Sequence, residues 1–445
     1  MANLVSYDPG TGKPLGEVRI ATPDDVRAGV EQASIAQKAW AQLSAAERVS
    51  TVIKAYDTLT DKIPALNELL AKEQGKDIRR AAGEVAGAAS MGAYLATDAM
   101  NAFKSQTVAR GTQLQYRPLG IVGVIAPWNY PVMMANNLIV PALIAGNTVI
   151  LKPSEFTPLI AQEFFGGLQA ALPTGVLQVL HGDGKVGQQI VDSNIQMIAF
   201  TGSKAVGHKI MASSAATLKR LVMELGGNDP MIVMGNANID NAAQFAVAAS
   251  FENSGQMCTS IERIYVDNSI AEQFEQRVVQ IAQQYQTGPW HQANVNIGPI
   301  INEKQHQVII AHIKDAEAKG ANILLGGSQQ TAPYIKPTVI TDITTDMLIE
   351  QQETFGPVVA ISRYNDVEEA ISRANDSDYG LGAVVFGGQG AEYVADQLEA
   401  GMVGINQGQG GGGNAPWVGA KQSGYGYHGS AEGHRQFSQI RIVSK

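Results

Sequence analysis

The stretch FENSGQMCTS, residues 251–260, contains the single cysteine of the 445-residue chain. A lone free thiol most often fills a small apolar space in a protein core. Here the neighbours Ser254, Gly255 and Thr259 are polar or small, and Cys258 lies outside an apolar run. Cys258 is therefore also a candidate nucleophile, which requires a base or a positive electrostatic environment to form the thiolate.

A carboxylate and an amide follow two apolar runs elsewhere in the chain. Glu224 ends the run LVME and precedes Gly226 and Gly227, which permit close approach of another backbone. A carboxylate at the end of a buried strand is a candidate general base, although a solvent-facing edge residue has the same pattern. Asn129 lies in the turn APWNYP. Its amide is a candidate donor to an oxyanion, or it serves only the backbone of that turn.

Two short motifs have the residue types that bind a nucleotide. In VILKPSE, Lys152 and Glu155 follow a strand-like run and suit ribose hydroxyls, but a surface ion pair has the same spacing. In FTGSKAVG, Gly202 and Gly207 flank a predicted strand-to-helix turn, whose free N–H groups can bind phosphate. The spacing differs from GxGxxG, so a plain tight turn is the alternative.

The elements that must position these residues alternate between strands and helices. The first hundred residues are predicted to be helical, and Thr22, Pro23 and Asp25 mark the start of a helix as N-cap, N1 and N3. From residue 120, short β-branched runs alternate with helical segments, and a second such series begins after residue 228. This pattern predicts two α/β domains with mostly parallel sheets and a ligand crevice between them. The polar strand 112–118 and the C-terminal segment are expected to pair with each other or with another subunit.

The composition narrows the class of ligand. The chain has 32 Lys and Arg against 41 Asp and Glu, which argues against a nucleic-acid or anionic-membrane partner. The start does not resemble a signal peptide, and no apolar run approaches the roughly 20 residues of a membrane-spanning helix, so a cytoplasmic protein is expected. The seven histidines are scattered without metal-ligand spacing, so no metal is expected. A small molecule is the expected partner.

Seven motifs occur together in a fixed order. They are, in chain order, PWNYP, GNTVILKPSEFTP, IAFTGSKAVG, MELGGNDP, SGQMCTS, ETFGPVVA and PWVGAKQSGYG. In this order the chain resembles NAD(P)-dependent aldehyde dehydrogenases from about residue 7 to its C-terminus. The resemblance implies an α/β fold of the aldehyde dehydrogenase type and a homodimer or homotetramer. It implies a Rossmann-type cofactor domain at residues 1–106 and 119–227, a catalytic domain at 228–424, and an oligomerisation segment at 107–118 and 425–445.

The resemblance also implies a catalytic role for three residues. Cys258 attacks the aldehyde carbon, and the Asn129 side chain and the Cys258 N–H bind the oxyanion of the resulting thiohemiacetal. Hydride transfer to the nicotinamide then leaves a thioester, and Glu224 activates the water that hydrolyses it. Because relatives that transfer the acyl group to coenzyme A generally lack this carboxylate, the expected product is the free carboxylic acid.

For the cofactor, the matching residues surround the riboses, the pyrophosphate and the nicotinamide. Glu155 is expected to accept hydrogen bonds from the adenosine ribose and to repel a 2′-phosphate, which favours NAD. Lys152 and Ser154 still admit NADP, so use of both cofactors with NAD preferred is expected. The expected cofactor residues are Trp128, Lys152, Ser154, Glu155, Thr201, Gly202, Ser203, Gly207, Glu353 and Phe355.

The segments expected to form the substrate tunnel differ from those of several relatives. NYPVMMANNLIVP has no Arg or Lys, whereas relatives that oxidise succinate semialdehyde typically have an Arg there. Glu252 replaces a common aromatic residue, and GQGGGGNAP at 408–416 has glycine where many relatives have aromatic residues. These differences predict a wide, polar mouth suited to a hydroxylated, aromatic or amino aldehyde. The expected tunnel residues are Tyr130, Met134, Asn137, Glu252 and Trp417.

Three alternatives stay open. One is a dehydrogenase of the succinate-semialdehyde type. Another is a cofactor-independent cysteine esterase, which would share Cys258 and Asn129 but would need no cofactor pocket. The third is a non-catalytic nucleotide-binding or structural protein, which would tolerate the loss of Cys258 or Glu224. The C-terminal SGYGYHGSAEG also departs from the family ending SGxGRELG, so no second base is expected in that region.

Overall fold

The computed structural model describes residues 2–410, 412 and 414–445. The glycine-rich tract expected to widen the tunnel therefore lies partly outside the described residues, at Gly411 and Gly413. The strands are β1 (Asn3–Tyr7), β2 (Pro14–Arg19), β3 (Gln106–Ala109), β4 (Thr112–Pro118), β5 (Ile121–Ile125), β6 (Thr148–Lys152), β7 (Leu177–Val179), β8 (Met197–Thr201), β9 (Arg220–Glu224), β10 (Asp229–Val233), β11 (Ile261–Asp267), β12 (Gln286–Thr287), β13 (Val295–Ile297), β14 (Asn322–Leu325), β15 (Thr338–Thr341), β16 (Val358–Tyr364), β17 (Gly382–Phe386), β18 (Met402–Ile405), β19 (Trp417–Val418), β20 (Gly424–Tyr425), β21 (Tyr427–His428) and β22 (Ser438–Ser444). The helices are α1 (Pro23–Gln42), α2 (Ala45–Asp57), α3 (Ile63–Gln74), α4 (Ile78–Ala102), α5 (Pro131–Ile144), α6 (Pro158–Ala171), α7 (Gly184–Asp192), α8 (Lys204–Ala215), α9 (Ile239–Phe251), α10 (Ala271–Ala282), α11 (Glu303–Ala318), α12 (Leu348–Gln351), α13 (Val367–Asn375), α14 (Ala391–Gln397) and α15 (Ser430–Arg435).

The chain begins with a hairpin rather than a helix. β1 and β2 pair antiparallel around a turn in which Asp8 Oδ1 accepts a hydrogen bond from the Gly10 N–H and Gly12 has a φ of 68°. The expectation that the first hundred residues are helical is wrong here, because DPGTG supplies the turn chemistry of a hairpin. Helix α1 begins as predicted, since the Thr22 side chain accepts from the Asp25 N–H and Asp25 accepts from the Thr22 N–H.

The first large sheet brings several of the candidate residues to one edge. Its order is β20-β9-β8-β5-β6-β7, in which β5 to β9 run parallel and β20 is antiparallel to β9. β5, β6 and β8 are buried along their whole length, as in a sheet covered on both faces. Lys152, Thr201 and Glu224 end β6, β8 and β9. Parallel strands present their carboxyl ends together, so these side chains meet at the edge where ligands bind in such sheets.

The second large sheet has the order β14-β15-β16-β11-β10-β17-β18. All its neighbouring strands run parallel except β14 and β15. Apolar residues of this sheet pack with α9 and α10 in one core cluster and with α13 and α14 in another. The two alternating series in the sequence therefore form two mostly parallel sheets, as predicted.

A small antiparallel sheet joins the C-terminus to the middle of the chain. β22 pairs with β4 from Ser438 opposite Pro118 to Ser444 opposite Thr112, and β3 lies on the other side of β4. The prediction that these two polar strands pair with each other is confirmed. Within the described part of the chain, every helix is too short or too polar to cross a lipid bilayer.

Candidate active site

Cys258 follows a turn with an unusual backbone. Asn253, Ser254 and Gly255 have φ values of 50°, 62° and 72°, in the left-handed region that L side chains rarely adopt. The Ser254 hydroxyl stabilises the turn by accepting from the Gly298 N–H at 2.9 Å. A Cβ on Gly255 would lie 2.0 Å from a backbone oxygen of the neighbouring loop, so glycine is required there. Such strain is typical of functional sites, where the surrounding structure holds it in place.

The same turn holds Asn129. The Asn129 Nδ2 donates to the Gln256 carbonyl at 3.0 Å, and the Asn253 Nδ2 donates to the Asn129 carbonyl at 3.2 Å. Asn129 is buried. The Asn129 amide is therefore held against the turn that precedes Cys258. The same two hydrogen bonds connect the loop before α5 with the loop after α9.

Two buried charged residues that the sequence analysis missed support Asn129. The Lys76 Nζ donates to the Asn129 carbonyl at 2.7 Å and to Glu84 at 2.6 Å. Glu84 also accepts from the N–H groups of Val132 and Met133 in the first turn of α5. Burial lowers the pKa of Lys76, and the charge of Glu84 opposes that effect. No motif marks this pair, because it forms only where α4 and α5 meet.

Glu224 is buried at the end of β9, which excludes the solvent-facing alternative. Its Oε2 accepts from the Thr201 hydroxyl at 3.3 Å and lies 3.4 Å from the His428 Nε2. Its Oε1 is also buried and has no hydrogen-bond partner among the described residues. One carboxylate oxygen is thus in contact with protein groups, and the other has unused capacity to accept a proton.

The glycines after Glu224 allow close contact with two loops. A Cβ on Gly226 would lie 2.5 Å from the Glu353 Oε2, and one on Gly227 would lie 2.2 Å from the Cys258 carbonyl oxygen. The Gly227 N–H donates to the Glu353 Oε1 at 3.0 Å. Burial raises the pKa of Glu353 to about 7. Both glycines are therefore needed to bring the end of β9, Cys258 and Glu353 together.

The Cys258 thiol lies in an unfavourable environment for a negative charge. Burial raises its pKa well above that of an ordinary thiol, and the carboxylates of Glu224, Asp229 and Glu353 raise it further. The thiol is therefore protonated near neutral pH in the free protein. Nucleophilic attack by Cys258 requires removal of that proton.

The loop around Phe355 is held by a residue that the sequence analysis also missed. Glu262 accepts hydrogen bonds from the Thr354 N–H at 2.6 Å and the Phe355 N–H at 2.8 Å. Phe355 has a φ of 53° and packs edge-to-face on Trp128, with ring centroids 5.5 Å apart. Trp128 and Phe355, which are both predicted cofactor residues and are far apart in the chain, therefore contact each other.

Lys152 and Glu155 form the ion pair that the sequence analysis left as an alternative. The Lys152 Nζ donates to the Glu155 Oε2 at 2.8 Å. The Lys152 side chain is nearly buried, whereas the Glu155 side chain is 35% exposed. The pair lies at the carboxyl edge of the first sheet and lines a cavity, so it is not an ordinary surface pair.

The turn after β8 leads into α8. Ser203 is the N-cap of α8, and its side chain makes no capping hydrogen bond. The first-turn N–H groups of a helix attract anions through their unused donors and the helix dipole. Gly207 has a different role from its neighbours: a Cβ there would lie 2.7 Å from Leu225, so glycine permits α8 to pack against the end of β9.

One cavity of about 830 Å³ contains most of the predicted residues. Its volume lies within the range of small-molecule and cofactor sites. His428, to which the sequence analysis gave no role, also lines it. The predicted residues that line it are Trp128, Asn129, Tyr130, Met134, Asn137, Lys152, Ser154, Glu155, Thr201, Gly202, Ser203, Cys258, Glu353, Phe355 and Trp417.

Three predicted residues, Glu224, Gly207 and Glu252, are not among the described residues that line the cavity. Glu224 lies next to Thr201 and His428, which do line it. The Glu252 carboxylate forms a bidentate pair with Arg80 and accepts a hydrogen bond from the hydroxyl of Tyr130, which lines the cavity.

The chain is similar to known proteins in both sequence and structure. It matches the aldehyde dehydrogenase family over residues 2–443. A probable succinate-semialdehyde dehydrogenase (NADP+) of Sinorhizobium fredii is 36% identical, with 98% of this chain and 91% of the relative covered. The lactaldehyde dehydrogenase of Escherichia coli superposes with a TM-score of 0.95 at 32% identity, covering 100% of this chain and 96% of the other. The succinate-semialdehyde dehydrogenase of Burkholderia pseudomallei gives 0.94 at 34% identity, covering 99% and 94%. The chain therefore belongs to the aldehyde dehydrogenase family, a family of oxidoreductases that use NAD(P).

Proposed function

We propose that this protein oxidises an aldehyde to the free carboxylic acid, with NAD(P)+ as the hydride acceptor. The observation that carries the proposal is the convergence of a thiol, an amide and a buried carboxylate on one cavity. Cys258 and Asn129 line the cavity, and Glu224 lies beside it. These three groups supply a nucleophile, an oxyanion donor and a base, which is the set that formation and hydrolysis of a thioester require.

In the first half-reaction, Cys258 releases its proton to water in the cavity, and its sulfur bonds to the aldehyde carbon. The carbonyl oxygen becomes negative, and the Asn129 Nδ2 and the Cys258 N–H donate hydrogen bonds to it. Because Gln256 already orients the Asn129 amide, little reorganisation is needed when the charge develops. NAD(P)+ held by the cavity residues would supply the acceptor for the hydride that leaves the same carbon. As the hydride leaves, the oxyanion re-forms a carbonyl group, and Cys258 is acylated as a thioester.

In the second half-reaction, Glu224 activates a water molecule. The Glu224 Oε1 accepts a proton as the water oxygen bonds to the thioester carbon, and the bond from that carbon to the Cys258 sulfur breaks. The unpartnered Oε1 supports this role, because a buried acceptor without a partner is free to bind a water. A cysteine esterase would share this half-reaction, but it would not need the cavity residues that are suited to bind ribose and phosphate.

The cavity residues fit a dinucleotide. Glu155 is suited to the hydroxyls of the adenosine ribose, and the N-terminus of α8 after Ser203 is suited to the pyrophosphate. We propose use of both cofactors with NAD preferred, because a 2′-phosphate would meet the carboxylate of Glu155. The name of the relative from S. fredii includes NADP+, so the ratio of kcat/KM for the two cofactors is the measurement that tests this preference.

For the aldehyde, we propose an uncharged hydroxylated or aromatic compound, or an amino aldehyde. The tunnel residues Tyr130, Met134, Asn137 and Trp417 carry no positive charge. Among the described lining residues, the lysines are Lys152 and Lys209, both on the side of the cavity formed by β6 and α8. The similarity to a lactaldehyde dehydrogenase supports a hydroxylated substrate.

Succinate semialdehyde is the second candidate. The names of the relative from S. fredii and of the solved structure from B. pseudomallei favour it. A dicarboxylic semialdehyde requires a counter-charge for its distal carboxylate. Arg80, which is linked to the lining residue Tyr130 through Glu252, is already paired with that glutamate.

We also propose a homodimer or homotetramer. β22 is an edge strand whose Ile440 and Ile442 side chains are exposed at 50% and 66%, although β4 covers its other edge. An exposed apolar edge of this kind favours pairing with another chain.

The proposal is tested by NADH absorbance with glycolaldehyde, benzaldehyde, 4-aminobutanal, succinate semialdehyde and hexanal. Wild-type protein is expected to form NADH, and Cys258→Ala is expected to lose the activity completely. Glu224→Gln is expected to retain the first-turnover burst of NADH and to lose steady-state turnover by about 100-fold or more, because only deacylation needs the base. Absence of NADH with every aldehyde, or loss of the burst in Glu224→Gln, would contradict the proposal. Highest kcat/KM with hexanal or succinate semialdehyde would contradict the substrate class alone.

A further inference from the structure

The C-terminal segment forms the wall beside Glu224. β20 pairs with β9, with Gly424 opposite Glu224, and the Leu225 N–H donates to the Ser423 carbonyl at 2.9 Å. β21 follows and pairs with β19, with His428 opposite Trp417. This backbone pairing fixes the position of the His428 side chain relative to the end of β9.

His428 is a buried imidazole that lies beside the Glu224 carboxylate. Its Nε2 lies 3.4 Å from the Glu224 Oε2, and the side chains of both residues are 5% exposed. Neither ring nitrogen has a hydrogen-bond partner among the described residues, so the Nε2 has unused capacity to donate to the nearby carboxylate. The ring lies nearly parallel to Trp417, with ring centroids 6.5 Å apart and an interplanar angle of 22°. Two buried nitrogens without partners cost free energy that an apolar residue of similar size would not. The presence of an imidazole here therefore indicates that the ring makes a polar interaction.

The other histidine in the region has a different partner. The His434 Nε2 lies 3.0 Å from the Asp98 carboxylate, which connects α15 with α4. His434 does not line the cavity among the described residues, whereas His428 does. Of these two histidines, only His428 is therefore placed to act on Glu224.

We propose that His428 is a positioning residue for Glu224 during thioester hydrolysis. The His428 Nε2–H donates to the Glu224 Oε2, together with the Thr201 hydroxyl, and so fixes the plane of the carboxylate. The Oε1 then remains as the oxygen that accepts the proton of the attacking water. His428 does not contact the aldehyde carbon or the sulfur in this scheme, so it acts only through Glu224. The inference rests on the proposed function, because it assumes that Glu224 is the deacylating base.

Two variants of His428 separate this role from simple packing. His428→Phe keeps a planar ring against Trp417 and removes both nitrogens. His428→Gln retains an N–H donor near the position of the Nε2. For His428→Phe we expect kcat to fall by at least about tenfold, KM to fall with it, and the NADH burst to keep its rate and amplitude, because acylation is spared. His428→Gln is expected to recover most of the lost kcat.

The measurement is rapid mixing with NAD+ and the aldehyde of the panel above that has the highest kcat/KM, followed by steady-state kinetics of the same samples. Quenching and intact-mass spectrometry give the decay rate of the acyl-enzyme directly. In the double variant Glu224→Gln/His428→Phe, we expect no loss beyond that of Glu224→Gln, because both changes remove one function.

Three outcomes would overturn the inference: unchanged acyl-enzyme decay in His428→Phe, a burst that falls as much as kcat, or a His428→Gln variant as slow as His428→Phe. Melting temperatures and NADH binding of the variants check that each one is folded. Absence of NADH formation by the wild type would overturn the proposed function itself and this inference with it.

Discussion

Arg80 binds both carboxylate oxygens of Glu252, with its Nε 2.8 Å from Oε1 and its Nη2 3.0 Å from Oε2. Arg80 also donates to Asp77, and the Tyr130 hydroxyl donates to Glu252. Tyr130, which lines the cavity, is therefore linked to the Arg80 cation by two successive hydrogen bonds through Glu252, and that cation is paired with two carboxylates. We expect Glu252 to act on the charge near Tyr130 through its pairing with Arg80.

Glu252→Gln is expected to favour carboxylate-bearing aldehydes. The change leaves the Arg80 charge balanced by Asp77 alone, so the potential near Tyr130 becomes more positive. We expect KM for succinate semialdehyde to fall by about threefold, in the range of a partly exposed ion pair, while KM for benzaldehyde stays constant. Steady-state kinetics with both aldehydes measure the effect. An equal change for both substrates would show that the ion pair shapes the tunnel without setting its charge.

The reactivity of Cys258 is expected to rise steeply with pH. Because burial and three carboxylates raise its pKa, the thiolate fraction in the free protein grows only as the pH passes the ordinary thiol range. Alkylation by iodoacetamide should therefore be slow at pH 7 and still increasing at pH 9. Since this is the single cysteine of the chain, intact-mass spectrometry reports it without ambiguity. Glu224→Gln removes one negative charge and should speed alkylation at a fixed alkaline pH. A rate that reaches its plateau below pH 8 would contradict the raised pKa.

Glu155→Gln is expected to shift the cofactor preference toward NADP. The change removes the carboxylate that would repel a 2′-phosphate and releases the Lys152 charge from its ion pair. We expect the ratio of kcat/KM for NADP to that for NAD to rise by about tenfold or more, which corresponds to ~1.4 kcal/mol. Glu163→Gln, at an exposed position on α6, is the matched control and should leave the ratio unchanged. The same ratio in both variants would exclude Glu155 as the discriminating residue.

The buried pair of Lys76 and Glu84 is expected to contribute strongly to stability. Lys76→Met leaves the Glu84 carboxylate buried without its cation, and such losses cost about 3–5 kcal/mol. The double variant Lys76→Met/Glu84→Gln removes both charges and should recover part of this free energy. Urea unfolding midpoints of the two single variants and the double variant give the coupling. A Lys76→Met variant as stable as the wild type would show that the pair is dispensable.

The candidate residues that the sequence identified are mainly those at the carboxyl ends of strands. Lys152, Thr201 and Glu224 end buried strands, and the alternation of strands with helices was sufficient to predict that such ends meet at one edge. For Asn129 and Cys258, the local sequence left a structural role open, and their catalytic roles followed from the resemblance of the ordered motifs to the aldehyde dehydrogenase family. The strained turn before Cys258 is visible only in the structure, because packing against the surrounding loops holds it in place.

The residues that the sequence did not identify have partners far away in the chain. Lys76 donates to Asn129, and Glu262 accepts from Thr354, across separations of 53 and 92 residues. Neither residue lies in a motif, because each one's role depends on how two elements pack. Glu252 was recognised in the sequence as an unusual residue. Its pairing with Arg80 could not be predicted, because the two residues are far apart in the chain.

The pairing of the C-terminal segment with β9 and β4 also bears on the order in which the parts of the candidate site form during synthesis. The Ser423 and Gly424 backbone and the His428 ring flank Glu224, and the Asn147 Nδ2 holds the Phe437 carbonyl at 2.8 Å. These contacts join residues 423–437 to strands much earlier in the sequence, and domains generally form in the order of translation. A nascent chain that has just passed Cys258 already contains Asn129 and Glu224, but it still lacks the residues that surround Glu224. We therefore expect the surroundings of the base to form later during synthesis than those of the thiol and the amide.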